Sequence, residues 1–197
     1  FFEGPEDELR KTINAQPSIL TVSLACLKAM EEALGQERMP KATLVAGHSL
    51  GEYTALVAAE VLSITDAARL VRERGRLMQY AAELSEGAMA AIMGMEDAAL
   101  EEICWETNTE ISNMNTPDQT VISGDKAAVE KAMALANDRG ARRTVSLAVA
   151  GAFHSRLMEP AREGLAKIVD ALTFNQPSIP IVANCTGLPL TTAEEIK

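Results

Sequence analysis

A five-residue segment, Gly47-His48-Ser49-Leu50-Gly51, restricts the fold of this 197-residue chain more than any other. It follows a short apolar run, Thr43-Leu44-Val45-Ala46, and precedes a helical pattern that starts at Glu52. A serine between two glycines in this setting predicts a tight strand-to-helix turn, because small neighbours let the backbone close and project the hydroxyl. A run that is apolar throughout is typical of a strand buried on both faces. The segment therefore predicts an α/β protein.

Helical patterns flank this turn, as expected of an α/β body. A helix follows Pro17 and carries an apolar stripe, and Gly35 fits its C-terminal cap. A second helix is predicted from Asp66 to Leu84, with Thr65 as its N-cap. The other predicted elements of the body are a helix over 52–61, a strand over 43–47, a helix from about Pro160 to Leu172, and a loop and strand over 175–184.

In the middle of the chain, short predicted strands alternate with helices, unlike the mainly helical pattern of the body. Strands are predicted over 88–93, 110–115, 120–123 and 143–149, with helices over 97–105 and 127–138. This βαββαβ order is the ferredoxin-like arrangement. We therefore predict a ferredoxin-like lobe over 87–149, inserted into an α/β-hydrolase-like parallel-sheet body formed by 1–86 and 150–197.

The composition restricts the compartment and the partners. Lys and Arg number 18 against 28 Asp and Glu, and this net charge of −10 argues against a nucleic-acid partner. No apolar run approaches the roughly 18 residues of a membrane span, and no basic-then-apolar leader is present. Three scattered cysteines argue against a disulfide framework and a metal site. We expect a cytoplasmic monomer with no metal and no bound cofactor.

Ser49 is the candidate nucleophile of the turn. Because a helix begins directly after it, the N–H of Leu50 would point into the same space and could stabilise an oxyanion. The alternative is a glycine-flanked helix cap with no chemistry.

The chain has two histidines. His48 adjoins Ser49 on a sharp turn, so its side chain should diverge from the serine and have a structural role. His154 precedes a predicted helix, whose N-terminus disfavours imidazolium and keeps the ring able to accept a proton. His154 is thus the candidate general base. The alternative is a surface histidine near a helix cap.

Arg74 lies on the apolar stripe of its helix. An uncompensated buried charge costs several kcal/mol, so the guanidinium needs an anion. A substrate carboxylate could accept two parallel hydrogen bonds from it. The residues alone favour explanations that need no substrate. In these, Arg74 forms a salt bridge with Glu31, Glu52 or Glu73, or its side chain extends to water.

Together these features resemble the malonyl-CoA:acyl-carrier-protein transacylases of fatty-acid synthesis and the acyltransferase domains of polyketide synthases. The resemblance covers nearly the whole chain. The segments that carry it are Gln16-Pro17-Ser18-Ile19, Gly47-His48-Ser49-Leu50-Gly51-Glu52, Arg74-Gly75, Met78-Gln79, Asn113-Met114-Asn115-Thr116-Pro117, Gln119, Ile122-Ser123-Gly124, Arg142-Arg143, Phe153-His154-Ser155, Met158 and Pro160.

The resemblance implies a ping-pong transfer from malonyl-CoA to the phosphopantetheine thiol of acyl carrier protein, through an ester on Ser49. His154 would be the base, and Arg74 would hold the malonyl carboxylate. Phe153 would favour malonyl over methylmalonyl groups. The residues implied to line the pantetheine and phosphate channel are Asn113, Asn115, Thr116, Gln119, Arg142 and Arg143.

Parts of the family pattern are not in this sequence. The family begins with a glycine- and glutamine-rich loop and continues past the end of this chain, so the chain looks truncated at both ends. A plastid stromal location would fit a plant source. The alternatives are a serine esterase or thioesterase of α/β-hydrolase type, or an inactive fragment that binds carrier protein through Arg139, Arg142 and Arg143.

Overall fold

A computed structural model describes residues 3–149 and 151–197. The chain forms two compact units: unit 1 comprises Phe1–Arg76 and Gly164–Lys197, and unit 2 comprises Leu77–Glu163. In chain order the elements are α1 (Glu6–Arg10), α2 (Thr12–Leu34), α3 (Gly51–Ala58), α4 (Ile64–Glu83), β1 (Gly87–Met93), α5 (Asp97–Thr107), β2 (Glu110–Thr116), β3 (Gln119–Asp125), α6 (Lys126–Asp138), β4 (Arg143–Ser146), α7 (Glu159–Ala171), β5 (Ile181–Val182), β6 (Pro189–Leu190) and α8 (Ala193–Ile196), with 3-10 turns at Gln36–Arg38 and Arg156–Met158.

Helix α2 begins before Pro17, earlier than the sequence pattern predicts. Proline has no N–H for the Ile13 carbonyl, and Arg72 Nη1 donates to that carbonyl instead, at 3.2 Å. Close by, a Cβ on Gly75 of α4 would lie 2.7 Å from the Thr12 carbonyl oxygen. The two helices therefore approach closely at Gly75, next to Arg74.

The strand predicted over 43–47 is reduced to one residue. Val45 forms an isolated parallel bridge with Ile181, in which its N–H donates to the Pro180 carbonyl at 3.0 Å and its carbonyl accepts from Val182 at 2.9 Å. The expectation of burial on both faces is wrong, since Leu44 is 49% exposed. Among the described residues, Val45 pairs with a neighbouring segment on one side only. A strand in the interior of a sheet pairs with a neighbour on each side.

The core of unit 1 joins α2, α3, α4 and α7. Leu20, Leu56 and Leu70 are buried in it, and Leu165 and Ile168 of α7 pack against it. Helix α3 ends at Ala58 rather than at the predicted Val61, because Glu60 takes a left-handed φ of 63°.

Ser63, not Thr65, caps α4. The helix begins at Ile64, and the Asp66 N–H donates to the Ser63 hydroxyl oxygen at 3.0 Å. A side-chain oxygen that accepts from the third residue after it is the geometry of an N-cap. The prediction of Thr65 as cap was therefore wrong by two residues.

Unit 2 contains the elements β1-α5-β2-β3-α6-β4, and its antiparallel sheet has the strand order β2-β3-β1-β4. Ala90 and Ile92 of β1 face the core shared with α5 and α6, whereas Met89 and Ala91 lie on the other face with Phe153. Strand β4 ends at Ser146, three residues before the predicted end. The predicted lobe, 87–149, lies within unit 2, which extends further at both ends.

Residues 1, 2 and 150 of the predicted body lie outside the described residues. In the remainder of the chain, no helix combines the length and apolar character that a membrane span requires.

Candidate active site

Ser49 lies in a sharp turn with a strained backbone. Its φ is 50°, in the left-handed region that residues with a side chain rarely adopt. A Cβ on Gly47 would lie 1.9 Å from the Gly51 carbonyl carbon, whereas a Cβ on Gly51 would meet nothing within 4 Å. The first glycine of the motif is therefore required by close packing, and the turn predicted from the sequence is present.

The backbone N–H of Leu50 is available at the start of α3. Leu50 is 7% exposed, and its N–H donates to no acceptor within residues 3–149 and 151–197. The neighbouring N–H of Gly51 donates to the His48 carbonyl at 2.8 Å. Leu50 therefore offers an unused donor at a helix N-terminus, as its predicted oxyanion role requires.

Asn184 binds the turn from a distant part of the sequence. Its Oδ1 accepts from the Ser49 N–H at 2.8 Å, and its Nδ2 donates to the Gly47 carbonyl at 2.7 Å. Its own N–H donates to the Glu52 carboxylate at 3.0 Å. Sequence analysis missed this residue; the one available signal is a polar residue just after an apolar strand.

Arg74 is buried next to Ser49. Arg74 is 8% exposed. Its Nη1 donates to Gln16 Oε1 at 2.7 Å, and its Nη2 donates to Ser49 Oγ at 3.1 Å. Within the described ranges no carboxylate pairs with this guanidinium. Sequence analysis predicted the buried position of Arg74 but not its contact with Gln16.

The alternatives for Arg74, a salt bridge with a nearby glutamate or extension of the side chain to water, are wrong. Glu31 pairs with Lys28 at 3.3 Å, Glu73 pairs with Arg76 at 2.8 Å, and Glu52 accepts from the backbone of Asn184. The side chain does not extend to water either, given its burial.

Tyr53 completes the surroundings of Arg74, and sequence analysis missed it too. The guanidinium carbon lies 5.4 Å from the centre of the Tyr53 ring, within the range of a cation–π contact. Burial raises the pKa of Tyr53, although the Arg74 charge acts in the opposite direction. The phenol therefore stays neutral at neutral pH, and the three side chains that contact Arg74 among the described residues, those of Gln16, Ser49 and Tyr53, carry no charge.

His154 belongs to unit 2, whereas Ser49 and Arg74 belong to unit 1. It is exposed and has a φ of 59°, in a turn before the Arg156–Met158 3-10 turn that leads into α7. Ser155 fixes this turn, because its hydroxyl donates to the Ala152 carbonyl at 2.7 Å and accepts from Leu157 N–H at 3.3 Å. The pairing of His154 with Ser49 stays a prediction.

Phe153 is half-buried within unit 2. Its ring packs against the sheet face that carries Met89 and Ala91 and also against the cluster of Met78 and Met158. It is thus an apolar ring in the core, and its role in selecting malonyl groups stays a prediction.

The predicted channel residues gather at one end of the antiparallel sheet. Met93 pairs with Gln119 of β3 on one side and with Arg143 of β4 on the other. Asn115 Nδ2 donates to Gln119 Oε1 at 3.0 Å. Thr116 also pairs with Gln119, and Asn113 lies further along β2, opposite Val121.

The arginines at this end of unit 2 differ in their partners. Arg142 pairs with Asp118, and Arg139 pairs with Glu106 at 2.8 Å. Arg143 is exposed and forms no ion pair within the described part of the chain. Of the three, Arg143 is the one with an uncompensated charge.

The geometry of unit 1 is suited to acyl transfer through a serine ester: a strained serine begins a helix beside a buried cation. Residues 2–195 match the family described as the acyl transferase domain, and the chain belongs to that family.

A malonyl CoA-acyl carrier protein transacylase of Bacillus subtilis (strain 168) is 44% identical over 201 residues, covering 100% of this chain and 62% of the relative. An acyl-carrier-protein-S-malonyltransferase from Bartonella henselae is 43% identical, with a TM-score of 0.91 over 98% of this chain and 63% of that protein. A malonyl-transacylase solved in complex with its type II PKS acyl-carrier protein is 39% identical, with a TM-score of 0.92 over 98% of this chain and 63% of that protein. The chain thus spans less than two thirds of these relatives.

Proposed function

We propose that the protein transfers a malonyl group from malonyl-CoA to the phosphopantetheine thiol of acyl carrier protein. The observation that carries this proposal is the buried Arg74 guanidinium, which pairs with no carboxylate in the part of the chain that the structure describes and lies 3.1 Å from Ser49 Oγ. A malonyl thioester carries a carboxylate one methylene away from the carbonyl that the serine would attack. A single small group can therefore reach both side chains.

In the first half-reaction, Ser49 Oγ attacks the thioester carbonyl carbon while His154 accepts its proton. The Leu50 N–H stabilises the oxyanion of the tetrahedral intermediate. The carbon–sulfur bond then breaks, and the CoA sulfur takes the proton from His154. The products are free CoA and malonyl-Ser49.

In the second half-reaction, the phosphopantetheine thiol gives its proton to His154 and its sulfur attacks the ester carbonyl. The bond to Ser49 Oγ breaks, and the serine recovers the proton. One thioester replaces another, so the exchange needs no metal and no bound cofactor.

Arg74 gives the reaction its selectivity. An acetyl group would leave the buried guanidinium without an anion, and a site with an unpaired buried polar group rejects such a substrate strongly. Hydrolysis of simple esters would give Arg74 no role, so the esterase alternative is not favoured.

Carrier protein as the acceptor is supported by two relatives: one is named a malonyl CoA-acyl carrier protein transacylase, and the other was solved in complex with an acyl-carrier protein. Arg143, exposed at the sheet end with Asn115 and Gln119, would attract the phosphates of CoA and of the pantetheine arm. The inactive-fragment alternative also requires these cations, but it gives no role to Ser49.

The finer description of the fold is part of the same proposal. The element order and strand order of unit 2 support a ferredoxin-like lobe over 87–149. The strained serine turn and the parallel bridge of Val45 support an α/β-hydrolase-like body formed by 1–86 and 150–197. We place the protein in the cytoplasm as a monomer.

The test is a transfer assay at the full natural length of the protein. Malonyl-CoA and holo acyl carrier protein should give malonyl-carrier protein with wild type and none with Ser49→Ala. Release of free malonate without malonyl-carrier protein would instead establish a thioesterase.

A further inference from the structure

The backbone of Ser49 needs external support. A φ of 50° is unfavourable for a residue with a side chain, and such a conformation persists only where its surroundings enforce it. Gly47 allows the turn to close, but a glycine permits many conformations and selects none. Another group must therefore hold the turn in this one conformation.

The carboxamide of Asn184 contacts the turn at both ends. It accepts from the Ser49 N–H at 2.8 Å and donates to the Gly47 carbonyl at 2.7 Å, so it clamps the backbone on either side of His48. Through its own N–H it also bonds Glu52 in the first turn of α3, at 3.0 Å. One residue thus ties the turn to the helix that follows it.

The parallel bridge explains how a residue so distant in sequence reaches the turn. Val45 and Ile181 pair in parallel, so the two backbones run in the same direction and arrive together at the same edge. Ser49 comes shortly after Val45, and Asn184 comes shortly after Ile181.

The clamp also determines which backbone donor remains available. The Ser49 N–H is occupied by Asn184, whereas the Leu50 N–H has no acceptor among the described residues. At the same time, Ser49 Oγ is held 3.1 Å from Arg74 Nη2. A shift of the turn would move the hydroxyl and the Leu50 donor together.

We propose that Asn184 is a positioning residue that fixes the Ser49 turn for nucleophilic attack. This inference rests on the proposed function only in taking Ser49 as the nucleophile. The hydrogen bonds of Asn184 go to the backbone of the turn and to Glu52, so we expect it to act through Ser49. Loss of its carboxamide should slow attack by Ser49 without weakening the contact of a substrate carboxylate with Arg74.

The test variant is Asn184→Ala, with Asn175→Ala as a matched control. Asn175 lies in the same stretch of unit 1, and its Nδ2 donates to the Glu60 carbonyl at 3.4 Å, so its removal also breaks a long-range bond from side chain to backbone. Both residues are exposed, and neither substitution leaves a cavity in the core.

Two readouts are measured on the protein at its full natural length. The first is the rate at which a fluorophosphonate probe labels Ser49, which needs no malonyl group. The second is steady-state malonyl transfer, with kcat and KM determined separately. Asn184→Ala should lower the labelling rate and kcat by about tenfold to a hundredfold, as expected for a displaced reacting group, with KM for malonyl-CoA unchanged. Asn175→Ala should change neither, even if both variants melt at lower temperature.

Equal labelling rates for Asn184→Ala and Asn175→Ala would overturn the proposal, as would a wild type that the probe does not label. Slow labelling of Asn184→Ala in a protein that transfers no malonyl group would support the clamp while refuting the proposed function.

Asn184→Asp keeps the size of the side chain and the acceptor for the Ser49 N–H, but it loses the donor to the Gly47 carbonyl. It therefore tests the clamp if Asn184→Ala fails to fold. A reduced labelling rate with unchanged KM is the expected result, and a wild-type rate would show that the bond to Gly47 does not position Ser49.

Discussion

Arg74 is buried, and its partners among residues 3–149 and 151–197 are neutral: the Gln16 amide, the Ser49 hydroxyl and the Tyr53 ring. Removing a cation from water costs several kcal/mol when no anion compensates it. A substrate carboxylate paired with the guanidinium would recover part of this cost, and an uncharged acyl group would not. The selectivity that we propose for this site would therefore depend on one side chain and its electrostatic surroundings.

Substitution of Arg74 should abolish the discrimination between acyl donors. Arg74→Ala is expected to lower malonyl transfer by about a hundredfold or more, the scale of a lost charge-assisted bidentate contact, because the carboxylate loses its partner. Acetyl transfer should fall far less. The measurement is kcat/KM for malonyl-CoA and acetyl-CoA, and an unchanged ratio of the two would show that Arg74 does not bind the carboxylate.

The two glycines of the motif should differ in their tolerance of alanine. Gly47→Ala places a Cβ 1.9 Å from backbone and should lower the free energy of unfolding by about 1–3 kcal/mol or more. Gly51→Ala meets open space and should be neutral or stabilising by up to about 1 kcal/mol. Urea denaturation of both variants checks this pair, and equal destabilisation would contradict it.

At the level of elements, the sequence predicted most helices and the strands of unit 2, but several boundaries were wrong. Periodicity shows where a helix is amphipathic, but its first residue depends on which side chain reaches a free N–H, and Ser63 does so in place of Thr65. The length of the strand at Val45 could not be predicted, because its pairing depends on Ile181, which is far along the chain.

The cap of α4 gives a direct check on that boundary. Ser63→Ala should destabilise the protein by about 1 kcal/mol, because the Asp66 N–H loses its acceptor. Thr65→Ala, within the first turn of the helix, should change stability by less than about 0.5 kcal/mol. Thermal or chemical denaturation measures both, and the reverse order would place the cap at Thr65.

Across the whole molecule, the candidate site was predictable only in part. Ser49 and Arg74 were found because a motif and a charge on an apolar stripe are visible in local sequence. Gln16, Tyr53 and Asn184 were missed, since their roles depend on contacts between segments far apart in the chain. The position of His154 before a helix was enough to make it the candidate base, but its own segment does not specify which residue it pairs with, so its pairing with Ser49 stays a prediction.

Arg143 is exposed and has no ion pair within the described ranges, on a protein whose net charge is −10. Arg143→Ala should lower the second-order rate of malonyl transfer to carrier protein by about two- to fivefold at low salt, as expected for one surface charge of up to about 1 kcal/mol, and the difference should shrink as salt is added. Arg162→Ala, which removes an exposed arginine paired with Glu159, is the control. A salt-independent difference would exclude an electrostatic role for Arg143.

The most direct test of the account is intact-mass analysis of the protein at its full natural length after brief exposure to malonyl-CoA, with acetyl-CoA and Ser49→Ala in parallel. We predict one malonyl group on wild type, located on Ser49 by fragmentation, little adduct from acetyl-CoA, and none on Ser49→Ala. A wild type that acquires no malonyl group, or an adduct that persists in Ser49→Ala, would contradict the assignment of Ser49 as the nucleophile.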